Sequence, residues 1–312
     1  MRAVEDALSR LGGVATRAEL LHVVTPRELR AAVLAGTVLR PRRGRYVAPG
    51  AEHARRVAHE LSGVVSHRSA ALAHGWKVKT APELPELTVP RGRKLTQGAR
   101  QAAVIRTGVL TRQERADGVT APLATVLACA RALPFDEALS VADSALRSGT
   151  VRPRDLAARA AEVAGPGRPR VLRVLRHASG KAANPFESVL RALSLDVPGL
   201  DLQPQARIEV ADGVIVVPDL VDRPRRIVIE ADSHEFHTKR SQLVADCWRY
   251  AELGLAGWRV LRFSWEQAMF EQDWVRWVMT RLVDPGARPP GHGAIWLAPN
   301  GRTPQVPAAA VG

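Results

Sequence analysis

Cysteine is scarce in this chain: its 312 residues include two, Cys129 and Cys247. So far apart in sequence, they form neither a disulfide framework nor a zinc-type spacing, and buried reduced thiols are the default expectation. Long apolar runs are missing as well. No stretch of eighteen apolar residues occurs, and the first residues hold no signal-peptide core. A soluble, cytoplasmic protein without a membrane partner is therefore expected. Hydrophobic residues still make up 46% of the chain, enough for sizeable cores, and the length suits two or three domains.

Acidic residues are in deficit, and the deficit is local. The formal net charge is +14. Residues 1–180 hold 30 Lys and Arg against 15 Asp and Glu, a net of +15; residues 181–312 hold 15 against 16, a net of −1. All the excess positive charge thus lies in the front portion. A basic front portion implies a polyanionic partner, most simply nucleic acid. Because Arg greatly outnumbers Lys, codon bias in a GC-rich genome is the competing explanation.

The first fifty residues give that charge a shape. Val4–Leu11 reads as a short helix. Thr16-Arg17-Ala18-Glu19 is a capping box opening a second helix, and Thr25-Pro26-Arg27-Glu28 is another, with Pro at the first helical position. The third helix runs to about Ala35, with Gly36 suited to its C-cap. Val38–Val47 then reads as two short strands around an Arg-rich turn. Three short helices and a basic β-wing predict a winged helix-turn-helix over residues 1–50. Arg27 and Arg30 would enter the major groove of duplex DNA, and Arg40, Arg42, Arg43 and Arg45 would lie along phosphates. Such trihelical units also serve as protein-interaction modules. Residues 1–50 resemble the N-terminal domain of AbiEi-type antitoxins, which implies a DNA-binding autoregulator with a toxin partner.

Residues 51–180 say less. Ser66–Trp76 suggests a helix ending at Gly75. Glu86–Pro90 and Ala103–Val109 suggest strands, joined through the basic turn Arg91-Gly92-Arg93-Lys94. Pro122–Leu133 and Asp136–Arg147 read as amphipathic helices. His67 and His74 share a helical face, but no carboxylate or cysteine accompanies them, so packing or capping is expected rather than metal binding. This order of elements resembles the middle region that follows the winged helix in AbiEi-like antitoxins, with Ala128 where an Asp is usual. Gly165–Arg170 looks like a break or tight connection, and Val171–His177 like one more helix.

The chemistry concentrates after residue 180. Asn184 can cap a helix with Pro185 at its first position and Glu187 in its first turn. Two apolar runs, Val214–Val217 and Arg226–Ile229, flank a turn-like Asp222–Arg225 and predict a hairpin. That loop sets Asp219 opposite Val228 and leaves Glu230 as its diagonal neighbour. Glu230 and Asp232, two apart on a strand, share a face. Three converging carboxylates repel one another, and Mg²⁺ or Mn²⁺, which favour oxygen ligands, would relieve this. Solvated strand-end acids are the alternative, although unpaired charge on interior strands is costly.

At these residues the chain resembles the PD-(D/E)XK nuclease superfamily, in its very-short-patch-repair-like branch. The residues are Val217-Pro218-Asp219, Ile229-Glu230-Ala231-Asp232-Ser233, His237, Asp246 and Arg249, and Gly257–Phe263, and the resemblance covers about residues 184–283. It implies an α+β, multidomain protein whose residues 181–284 form a restriction-endonuclease-like domain with a mixed sheet. A helix at Ser241–Leu253, a parallel strand at Trp258–Phe263 and a last helix at Asp273–Leu282 follow, with a disordered tail at 285–312. Asp219, Glu230 and Asp232 become metal ligands, Glu187 an acid beside them and His237 a general acid or base. His234, Lys239 and Arg240 become candidate phosphate contacts. Asp232 stands where the superfamily usually has Lys, and Ser233 where Gly is usual. Two functions follow: a Mg²⁺-dependent DNA endonuclease delivered by its winged helix, or a non-catalytic antitoxin-type regulator carrying a degenerate nuclease fold.

Overall fold

The computed structural model describes residues 2–11, 14–42, 44–232 and 240–288, a mixed α/β chain with both parallel and antiparallel strand pairs. The chain opens with α1 (Arg2–Arg10), β1 (Val14–Thr16), α2 (Arg17–Leu21), α3 (Pro26–Leu34), β2 (Leu39–Arg42) and β3 (Arg45–Val47). Both capping boxes form: the hydroxyls of Thr16 and Thr25 accept from the Glu19 and Glu28 amides, and each glutamate accepts in return. β1, absent from the sequence expectation, pairs with β3, giving an antiparallel sheet in the order β1-β3-β2. Val4, Leu8, Leu20, Leu29, Val38 and Tyr46 close a core between helices and sheet.

Next come α4 (Gly50–Glu60), β4 (Val64–Val65), α5 (His67–Ala73), β5 (Glu86–Pro90), α6 (Gln97–Ala102), β6 (Val104–Gly108) and α7 (Arg112–Asp117). The turn at Arg91–Lys94 does not close a hairpin. α6 carries the chain across, so β5 and β6 run parallel, as a crossover requires. α8 (Pro122–Ala132), α9 (Phe135–Arg147), α10 (Pro153–Glu162) and α11 (Arg168–His177) then pack around Trp76, Val126, Val141 and Val174.

The remaining elements are α12 (Pro185–Ser194), β7 (Gln203–Pro204), β8 (Ile208–Ala211), β9 (Val214–Val216), β10 (Leu220–Asp222), β11 (Ile227–Asp232), α13 (Arg240–Leu255), β12 (Arg259–Ser264), α14 (Trp265–Phe270) and α15 (Gln272–Val283). The sheet order is β12-β11-β10-β7, parallel only between β11 and β12. Ile227, Ile229, Leu220 and Phe263 face α12, α14 and α15. Val221, Val228 and Val260 face Tyr250 and Leu253 of α13.

The hairpin differs from its expectation in two ways. Val214–Val216 pairs with β8 across a turn at Gly213, whose φ of +71° suits glycine, rather than with β11. Pro218 ends that run, because it has no N–H to give a ladder. β10 alone pairs with β11, with Val221 opposite Val228 and Leu220 opposite Ile229. Asp222 is fully buried and accepts from the Arg225 and Asp201 amides, while Arg226 takes a left-handed φ of +50°. The loop is therefore Arg223–Arg226. The register shifts by two residues from the expected one, which keeps every side chain on its face but brings Asp219 level with Glu230.

Candidate functional site

The site begins where the core on one sheet face stops. Along β11 that face reads Val228, Glu230, Asp232; the valine is core and the acids lie beyond it. Asp219 precedes β10 on the neighbouring strand path, so its carboxylate meets those of β11. Its Oδ2 accepts from the Ala231 amide at 2.9 Å. Glu187 arrives from the first turn of α12, fixed by Asn184, whose Oδ1 accepts from the Glu187 amide at 3.0 Å and whose Nδ2 donates to Glu187 Oε1 at 2.9 Å. Glu187 thus serves its helix end and faces the site at once.

Gln205 joins the two groups, and sequence reasoning missed it. Its Nε2 donates to Glu187 Oε2 at 3.0 Å and to Asp219 Oδ1 at 3.1 Å. Its own amide donates to the Asp219 carbonyl at 2.9 Å, and its backbone holds a left-handed φ of +52°. A non-glycine residue held there costs on the order of 1 kcal/mol or more. Nothing local in the sequence announces it, because the conformation follows from β7 ending beside β10.

Burial leaves these acids poorly solvated. Glu187 is 3% exposed and Glu230 4%. Burial and then the nearby Asp219 carboxylate raise the pKa of Glu187 to about 7 and that of Glu230 to about 8. The folded state therefore holds these protons more tightly than the unfolded chain, whose glutamates release them near 4.5. Stability is fully present below that value and falls as pH rises through the folded pKa values. Without divalent cations, melting temperature should drop between about pH 5 and about pH 8.5, and less so in Glu230→Gln. An equal drop in both proteins would exclude Glu230 as a source.

The cluster is not the expected trio. Asp232 turns to Arg262, whose Nη2 lies 2.7 Å from its Oδ2. Arg249 Nη2 sits 3.6 Å from Glu230 Oε1. Among the described residues no group of three His, Cys, Asp or Glu is arranged to hold a metal ion. Asp219 stands between the other two acids, joined to Glu187 through Gln205 and close enough to Glu230 to raise its pKa, while Asp232 is tied to an arginine. An alternation signal could have flagged Arg262: it follows Val260 by two on edge strand β12, and the parallel register sets it beside Glu230. His234, His237 and Lys239 lie outside the described residues, as does Arg43, and the side chain of Arg240 is likewise not described.

At the other end of the chain, Arg27 and Arg30 stand exposed on α3 beside Leu34, which is 82% exposed. Arg40 is exposed on β2, which also carries Arg42, and β3 starts at Arg45. His67 and His74 both have local hydrogen-bond partners. Ser66 Oγ lies 2.8 Å from His67 Nδ1, and His74 Nε2 lies 2.9 Å from the Thr120 carbonyl. Burial pushes both imidazoles down, His67 to about 4.

No family model matches the chain, and no curated protein does. Among solved structures, the crystal structure of the RV2827C protein from Mycobacterium tuberculosis is similar, 15% identical, covering 62% of this chain and 75% of that one. Its TM-score of 0.25 is too low to equate the two folds. No helix among the described residues is long and apolar enough to cross a membrane.

Proposed function

We propose that the chain is a DNA endonuclease dependent on Mg²⁺ or Mn²⁺, delivered by a winged helix-turn-helix at residues 1–50. In this reading residues 51–180 form an antitoxin-like middle domain and residues 181–284 a restriction-endonuclease-like domain. The observation that carries it is the approach of Glu187 from α12 and Glu230 from β11 to the one carboxylate of Asp219. Glu230 Oε1 is buried and has no hydrogen-bond partner, which suits a ligand oxygen for a divalent cation. The donor set is oxygen throughout, as hard divalent ions prefer. Asp219 and Glu230 would hold the ion, with Glu187 beside them. Bound there, the cation would polarise a phosphodiester and make a water acidic enough to attack it. Gln205 keeps Glu187 and Asp219 in place, and His237 is the proposed proton carrier. Supercoiled plasmid should be nicked in Mg²⁺ or Mn²⁺ and spared in chelator.

DNA delivery is assigned to Arg27 and Arg30 on α3 and to Arg40, Arg42, Arg43 and Arg45 of the wing. The guanidinium groups of Arg27, Arg30 and Arg40 make no hydrogen bond or ion pair with another described residue, so their charge is available to phosphates. Replacing Arg42, Arg43 and Arg45 by Ala should weaken duplex binding. Each lost contact should flatten the log–log salt slope by about 0.9. A gel-shift series with an unchanged slope would remove the wing from the interface.

A second reading has its own support. Asp232 is neutralised by Arg262, and the described residues hold no three-ligand group. That pattern favours a non-catalytic DNA-binding regulator of antitoxin type, with a toxin as its partner. Purified protein that leaves plasmid intact in both cations would make this the better account.

A further inference from the structure

Two arginines stand at the mouth of the acidic cluster, and neither is fully used. Arg249 of α13 donates from Nη2 to Asp246 Oδ1 and to the Tyr250 hydroxyl, both at 3.1 Å. Its Nε is buried and has no partner. Across from it Glu230 Oε1, on a side chain 5% exposed, is also buried and has no hydrogen-bond partner. The gap of 3.6 Å between Arg249 Nη2 and that oxygen is too long for a hydrogen bond. An arginine serving only to neutralise Glu230 would close into a two-pronged contact. Of the two buried atoms, Glu230 Oε1 is an acceptor and suits a cation, whereas the buried donor Arg249 Nε points to an oxygen-bearing anion as its partner.

The second arginine fixes the chemistry of that group. Arg262 rises from β12 level with Glu230 and pairs with Asp232 through Nη2. Its guanidinium carbon lies 4.5 Å from the Tyr250 ring centre, and that of Arg249 lies 5.1 Å from it. One aromatic ring thus orients two planar cations at the same edge of the cluster. Guanidinium forks match tetrahedral oxyanions, and stacking on a ring holds them ready with little further loss of freedom.

We propose that Arg249 and Arg262, set by Tyr250, form a clamp for the non-bridging oxygens of a backbone phosphodiester beside Glu230. This rests on the hydrolase reading only for why a phosphodiester reaches the site. The clamp also answers an electrostatic need, since a phosphate approaching Glu187, Asp219 and Glu230 meets repulsion at close range. Arg262 would exchange Asp232 for phosphate, and Arg249 would offer Nε without leaving Asp246.

The test is phosphate binding by the full chain without divalent cation, read by ³¹P NMR titration of inorganic phosphate. Arg262→Gln should weaken binding about tenfold, the value of roughly one charge-assisted hydrogen bond. Arg249→Lys, which keeps charge and loses the fork, should weaken it several-fold, and Arg159→Ala on α10, where the arginine is paired with Glu162, should not change it. Equal affinity in wild type, Arg262→Gln and Arg249→Lys, all with the wild-type melting temperature, overturns the clamp. Hydrolysis of bis(p-nitrophenyl) phosphate in Mn²⁺ separates the two ideas, because this diester is too small to reach the wing. If wild type turns it over and neither arginine variant raises KM, the clamp fails and the hydrolase stands. If wild type is inert yet Arg262→Gln still loses phosphate, the clamp stands and the hydrolase fails.

Discussion

Asp219→Asn should reduce plasmid nicking by on the order of a thousandfold, because in the proposed endonuclease it removes charge where the cation would be held. DNA binding should survive, since the arginines assigned to it lie between residues 27 and 45, and removing a carboxylate near phosphate should if anything tighten it. The substitution is not silent structurally. Asp219 accepts on both oxygens, from Gln205 Nε2 and from the Ala231 amide. Asparagine has one acceptor oxygen, so one of those donors would face an amide NH₂, at roughly 1 kcal/mol or more. A gel shift and a melting curve on the same preparation separate lost chemistry from lost fold. Wild type and Asp219→Asn cleaving alike would place the activity elsewhere or in a contaminant.

The largest effect on stability should come from Asp143→Ala. Asp143 of α9 is fully buried and pairs with Arg191 of α12 at 2.7 Å, while also accepting from the Ser179 amide. Arg191 in turn donates to the His177 carbonyl. Removing the acid strands a guanidinium in the interior, at roughly 3–5 kcal/mol. Replacing both residues by leucine should recover much of that, since a buried pair repays its own desolvation poorly. Urea denaturation of wild type, single and double variants measures both numbers. A single variant within about 0.5 kcal/mol of wild type would show the pair to be incidental. Because α12 also carries Glu187, loosening this contact should disturb the acidic cluster as well.

Much of the local structure was legible because its chemistry is local. The capping boxes at Thr16 and Thr25, and the cap at Asn184 before Pro185, are fixed by hydrogen bonds within three residues. α14 opens on the same signal, Ser264 with Gln267, which the sequence reading passed over. The parallel pairing of β11 with β12 was also expected, as an implication of the family resemblance. What escaped was non-local. The level pairing of Asp219 with Glu230 depends on Asp222 being buried and on Arg226 adopting a left-handed backbone. Gln205 matters only because β7 ends beside β10. The partners of Asp232 and Glu230 come from β12 and α13, and no spacing along β11 reports them.

The loop Arg223–Arg226 works as a ruler. Hairpin register follows loop length, so the turn's length, more than its composition, sets which residue of β11 stands level with Asp219. Losing or gaining one residue there would turn the acids of β11 to the opposite side of the sheet from Asp219. A change of two would leave them on the right side but slid along the strand. Arginines and a proline in such a turn can be exchanged for other residues that tolerate the same bend. A deletion cannot be absorbed, although it would remove no group that takes part in the chemistry.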